Sequence, residues 1–352
     1  MAEATPVVTR DPRFLAGRKL VERGLADEAV DIYGTLLEET RQKYGDASIE
    51  TAPAYYEYGN TLLRAVTKEQ MAVADAAAAE TNEEEKSDQR TAAAAAAEKR
   101  LQASADTIKS EEPAAATEND SKPAADDGVK KEEEEQDSND EGDDTELALE
   151  MMENSFSILD VYKESIGIGG DKKYLEWVKE QLPRVLMGIG DTLSKMDRHA
   201  DAADVYSRAL ELRKACLQEF ADSEKNEFTT QLLKAHRTVC EANVLIAEEL
   251  LACPEDCDVV TTETKSLIVK ATERVEYARG YYDQARDALQ EAVVFMGSMP
   301  RNIDLTREKE DVCFLATLVM GVGEALAMID EKAEEAKIAA STEPVKKKHK
   351  TE

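Results

Sequence analysis

Aromatic residues make up only 5% of this 352-residue chain, with a single Trp, and nine residues are Pro. Strands lean on aromatic and β-branched side chains, so this scarcity argues against a core built from sheet. The three histidines, His199, His236 and His349, stand apart from one another, and the one glycine-rich stretch, "GIGGDKK", lacks the strand-loop-helix context of a phosphate site. Catalysis and cofactor binding are therefore not expected. The N-terminus "MAEATPVVTR" lacks the charged-then-apolar layout of a signal peptide, and no apolar run is long enough to suggest a membrane span, so the chain reads as soluble and intracellular. Five cysteines are an odd count without framework spacing. Cys216, Cys240 and Cys313 lie in helical patterns and are expected as small buried hydrophobes. Cys253 and Cys257 in "CPEDC" lack two further ligands at zinc spacing, so no metal is expected. Positive charge is also short, with 44 Lys and Arg against 75 Asp and Glu, a net of −31. Binding a phosphate backbone needs the reverse, so nucleic acid and anionic membranes are excluded and a basic protein is the expected partner.

What is abundant is Ala, Glu, Leu and Lys, a balance that favours helix, and the expected fold class is all-α. Residues 1–10 are expected to be disordered and 11–332 to form one interrupted domain. Within it, 66–146 reads as a disordered insert. "AVADAAAAE" and "TAAAAAAEKRLQ" have helix propensity but little to bury, and 111–146 then carries 16 acids and 3 lysines, a net of −13. Taken from −31, that leaves −18 for the rest of the chain. Residues 333–352 read as a disordered basic tail.

Inside the patterned parts one register repeats. Gly17 is followed by Leu20, Gly24, Ala29 and Tyr33, and Gly190 at the same offsets by Leu193, Asp197, Ala202 and Tyr206. A small residue on each of two antiparallel helices permits close approach, an aromatic one turn on fills the space above, and Gly24 or Asp197 sits where the first helix must turn. A third first helix lies in "APAYYEYGNTLLRA", around Tyr55, Tyr58, Gly59 and Leu62. Its second helix is displaced to "ELALEMMENSFSILDVY", where Ala148, Met152 and Ser155 have second-helix spacing. Gly17 to Gly59 is 42 positions and Gly59 to Gly190 is 131, an excess of 89 that matches the low-complexity tract. A fourth, degenerate unit and a last helix, "EDVCFLATLVMGVGEALAMIDEKA", are expected to complete and cap the array.

These spacings resemble the tetratricopeptide repeat. About four repeats, with a long acidic insertion inside the second, are similar to the nuclear autoantigenic sperm protein family, the interrupted-repeat (SHNi-TPR) histone chaperones. The resemblance implies a helical-hairpin solenoid and binding of histone three, alone or with histone four, in the nucleus with a cytoplasmic pool. It leaves linker histone and self-association open. Rival readings are an adaptor for heat-shock chaperone tails, which would need a cationic groove, and a motor-cargo adaptor, which would not need the acid.

Arg18, Asn60 and Asp191, each just after a repeat glycine, should line a groove, with Phe14, Tyr56 and Met187 one turn before it. Tyr56, Asn60 and Asp191 are the groove candidates, set against ordinary packing for Tyr56 and a solvated face for Asp191. Glu132, Glu133, Glu134, Glu135, Asp137, Asp140, Glu141, Asp143 and Asp144 are expected to meet histone Lys and Arg. The alternative for that tract is a solubilising bristle. Lys346, Lys347, Lys348 and Lys350 after Pro344 read as a signal for an import receptor. Trp177 is expected in the core or in the link to the third repeat, and Met151 and Met152 in the core.

Overall fold

The computed structural model describes residues 4–70, 140–167, 172–221, 229–254, 259–261, 267–270, 273–300 and 303–342. Residues 1–64 with 144–352 form one compact unit, to which the packing below refers; 65–143 form a second, described only at its helical ends, 65–70 and 140–143. The fold is all-α. After a 3-10 turn at Val7–Arg10 come α1 (Pro12–Glu22), α2 (Ala26–Tyr44) and α3 (52–70), then α4 (Asp140–Gly167), α5 (Leu175–Lys195), α6 (His199–Ala221) and α7 (Thr229–Ala252). A two-stranded antiparallel ribbon, β1 (Val259–Thr261) and β2 (Leu267–Val269), precedes α8 (Arg274–Ser298) and α9 (Thr306–Thr342).

Local chemistry sets the helix ends. Asp11 caps α1 by accepting from the Arg13 amide at 2.8 Å, with Pro12 at the first helical position. Gly24 and Asp197 both take positive φ, 74° and 56°. Each closes a six-to-one turn, Leu25 N to Leu20 O and Arg198 N to Leu193 O, both at 2.9 Å. The hairpins α1/α2 and α5/α6 then pack through their small residues. A Cβ on Gly17 would fall 2.7 Å from Tyr33 Cζ, and one on Gly190 2.6 Å from Tyr206 Cδ1. Ala29, Ala202, Tyr33 and Tyr206 are essentially fully buried.

The third pair joins across the intervening sequence. A Cβ on Gly59 of α3 would lie 2.7 Å from the Ala148 carbonyl oxygen of α4, and the Ser155 hydroxyl donates to Ala52 O at 2.9 Å. Met152, fully buried, stands where Tyr33 and Tyr206 stand in the other pairs, held between Gly59 and Gly188 of α5.

Several expectations need correction. Residues 7–10 are ordered, because Val8 is buried and the Val7 amide donates to Glu50. Helical structure covers 66–70 and 140–146 at the two ends of the expected disordered insert. Asp144, exposed in the early turns of α4, puts negative charge where it complements the helix dipole. Helix α5 carries Pro183 in its interior. Trp177, Val178 and Leu182 are buried, and that apolar face outweighs the roughly 3 kcal/mol a mid-helix proline costs. The degenerate unit carries the β ribbon, which packs on α6 and which the helical reading did not contain. Helix α9 runs to Thr342, ten residues into the expected tail, and within Thr306–Glu335 it is apolar and long enough to cross a membrane by length and composition. Its Val312, Leu315, Val319, Val322 and Leu326 are buried, while Phe314, Met320 and Met328 on other faces are exposed. Cys313 is exposed on the same helix rather than buried; Cys240 and Cys253 are buried.

Candidate functional site

A cavity of about 570 Å³ opens where Phe14 and Arg18 of α1, Tyr56 and Glu57 of α3, and Trp177 and Arg184 of α5 meet. Glu57 is its organising residue. It lies between Tyr56 and Tyr58 on a helix whose neighbours are buried, and is itself only 4% exposed. A carboxylate so placed needs a cation. Arg184 supplies it at 3.1 Å and lays its guanidinium over the Tyr56 ring, 4.6 Å from the centroid. Burial works against the Arg184 charge, but Tyr56 and Glu57 outweigh it and raise its pKa above the ordinary arginine value. Burial likewise pushes the Tyr56 hydroxyl up. Lys234 of α7 and Glu180 of α5, paired at 2.6 Å, and Arg307 of α9 complete the charged lining.

A second polar group gathers around Asp191. The Tyr206 hydroxyl donates to its carboxylate at 2.6 Å, tying the residue after the repeat glycine to the aromatic of the second helix. Protein crowds this carboxyl and pushes its pKa up to about 6, against the pull of the Tyr206 hydrogen bond. Its side chain is nevertheless exposed, and the water reaching it moderates the push. Arg213, buried at 8%, donates to Thr238 O at 2.6 Å and pairs with Glu241 at 3.0 Å; burial lowers its pKa.

Of the groove candidates, Tyr56 lines the cavity, beneath Arg184. Asn60 and Asp191 do not line it. Asn60 is half-buried and accepts from Arg64 Nε at 3.4 Å, and Asp191 is exposed and bonded to Tyr206. Phe14 lines the cavity and Met187 is buried. Trp177 is buried at 8%, and its buried ring forms part of the wall. Glu132 to Glu135, Asp137 and the four lysines of the tail lie outside the described residues. Asp140, Glu141 and Asp143 belong to α4 by backbone, and Asp144 is exposed there.

The glycine register pointed to Tyr56 and Arg18 but not to Arg184, Lys234 or Arg307. One signal for Arg184 was present, an acid set among the tyrosines of "YYEY", which implies a cation on an adjoining helix. The cavity holds Arg18, Arg184, Lys234 and Arg307 against Glu57 and Glu180, a positive balance inside a chain of net negative charge. Among the described residues no group of three or more His, Cys, Asp or Glu side chains is placed to hold a metal. The paired and stacked side chains offer ionic and stacking contacts to a ligand. No protein-family model matches the chain, and no curated protein matches it.

Proposed function

We propose that the protein is a tetratricopeptide-type helical-repeat chaperone of core histones, binding histone three, alone or with histone four, and handing it on for nucleosome assembly. The observation that carries the reading is the join between α3 and α4. Gly59 meets Ala148 as closely as Gly17 meets Tyr33, so the sequence between them, ending in its acidic run, interrupts a packed hairpin. An acidic run inside a helical hairpin is the feature shared with the interrupted-repeat chaperones. The net charge of −31 supports it separately, because a field of that sign steers a cationic partner and suppresses contact with nucleic acid. In this reading Glu132 to Asp144 pair with histone Lys and Arg, binding is stoichiometric and involves no bond chemistry, and the basic tail recruits an import receptor for a protein shared between nucleus and cytoplasm.

The test is direct binding to histone three with histone four, against linker histone and a neutral helical protein, at low and physiological salt. Saturable core-histone binding that survives physiological salt is expected. Binding that follows partner charge alone and disappears with salt would reduce the acid to a polyelectrolyte.

A further inference from the structure

The cavity beside Tyr56 has the opposite sign to the chain that forms it. Its two acids are already engaged, Glu57 with Arg184 and Glu180 with Lys234. Arg18 on α1 and Arg307 on α9 line the same space, are exposed, and have no ion-pair partner among the described residues. In a chain with 31 more acids than bases, two uncompensated guanidinium groups facing one cavity form a local well for negative charge. The rest of the lining mixes polar side chains, Thr5, Thr9, Ser155 and Gln181, with the edges of Phe14 and Trp177.

We propose that this cavity binds an acidic peptide, its carboxylates pairing with Arg18 and Arg307 and its apolar side chains resting on Phe14 and Trp177. A guanidinium fork matches a carboxylate in two parallel hydrogen bonds, and the volume of about 570 Å³ falls in the range of ligand sites. The lining selects a peptide over a compact inorganic anion. Its cations come from α1, α5, α7 and α9, so a chain with several spaced carboxylates can meet more of them than a compact anion can. This ligand is opposite in charge to a histone, so the site stands whether or not histone binds.

Trp177 is the sole tryptophan and forms part of the wall, so its emission reports occupancy. The full chain is titrated with a short peptide of alternating Glu and Leu, with its Gln-for-Glu counterpart, and with inorganic phosphate. The acidic peptide is expected to shift the emission saturably and the other two are not. Arg18→Ala and Arg307→Ala should each weaken binding roughly tenfold, the loss of one charge-assisted pair. Arg18→Lys should recover part of it, and Arg286→Ala, on α8 and outside the lining, should change nothing. Circular dichroism confirms that each variant keeps its helices. Repeating the titration on a chain lacking residues 111–146 separates two sources of the ligand. Tighter binding there assigns it to the chain's own acid as competitor, and equal binding assigns it to another protein; either upholds the site. An equal response to the Gln peptide or to phosphate, or equal weakening by Arg286→Ala and Arg18→Ala, overturns it.

Discussion

Gly59 and Ala148 are in backbone contact: a Cβ on the glycine would fall 2.7 Å from the alanine carbonyl oxygen. Because the obstacle is backbone, no side chain can swing aside to admit a methyl group. Gly59→Ala should therefore destabilise the protein by about 1–3 kcal/mol in urea denaturation, the usual cost of overpacking. Gly280 in α8 has open space around its Cα, and Gly280→Ala should stabilise by about 0.5–1 kcal/mol. Equal effects at the two sites would mean that α3 and α4 are not pressed together.

Met152 fills the position that tyrosine holds in the other two hairpins. It is fully buried between Gly59 and Gly188. Met152→Ala should cost about 2–5 kcal/mol, and Ser155→Ala, which strands the Ala52 carbonyl, about 1–3 kcal/mol. A loss below 1 kcal/mol at Met152 would argue that α4 adds little to the core.

The turns make a matched pair. Asp197 bears a side chain at φ 56°, where L-residues are strained, and Gly24 occupies the same position in the first hairpin at φ 74°. Asp197→Gly should raise stability by up to about 1 kcal/mol, and Gly24→Ala should lower it by about 1–2 kcal/mol. Opposite signs in thermal melts are the expected result.

These pairs also mark how far the sequence could be read. Gly17 with Tyr33, Gly190 with Tyr206 and the two turn positions follow from spacing alone, because a close helix approach allows few residue types. The partner of Gly59 was legible for the same reason, once the excess length was set aside. The start of α5 was not, since Pro183 is a standard first-turn residue and only tertiary burial of Trp177 and Leu182 carries the helix past it. The ribbon strands, Val259–Thr261 and Leu267–Val269, follow "CPEDCD" with no alternation to announce them. The cationic cavity was hidden because its arginines and lysine come from four helices, and composition reports only their sum.

Asp191 gives the pH dependence. Its folded-state pKa is raised to about 6 from an ordinary value of 3.8. The folded state thus holds this proton more tightly than the unfolded one, and ionised Asp191 costs stability at neutral pH. That cost is relieved as pH falls from about 6 towards 4. Asp191→Asn, which keeps an acceptor for Tyr206, should gain stability relative to the parent near pH 7.5 and lose that advantage near pH 4. A pH-independent difference between the two would place the carboxyl in bulk-like solvent.

The central claim is that the acid interrupting the α3/α4 hairpin is a histone-binding surface. Its most direct test compares the full chain with one lacking residues 111–146 for affinity towards histone three with histone four across a salt series. The account predicts nearly unchanged helix content, weaker binding and a flatter salt dependence in the shortened chain. Unchanged affinity and an unchanged slope would contradict it.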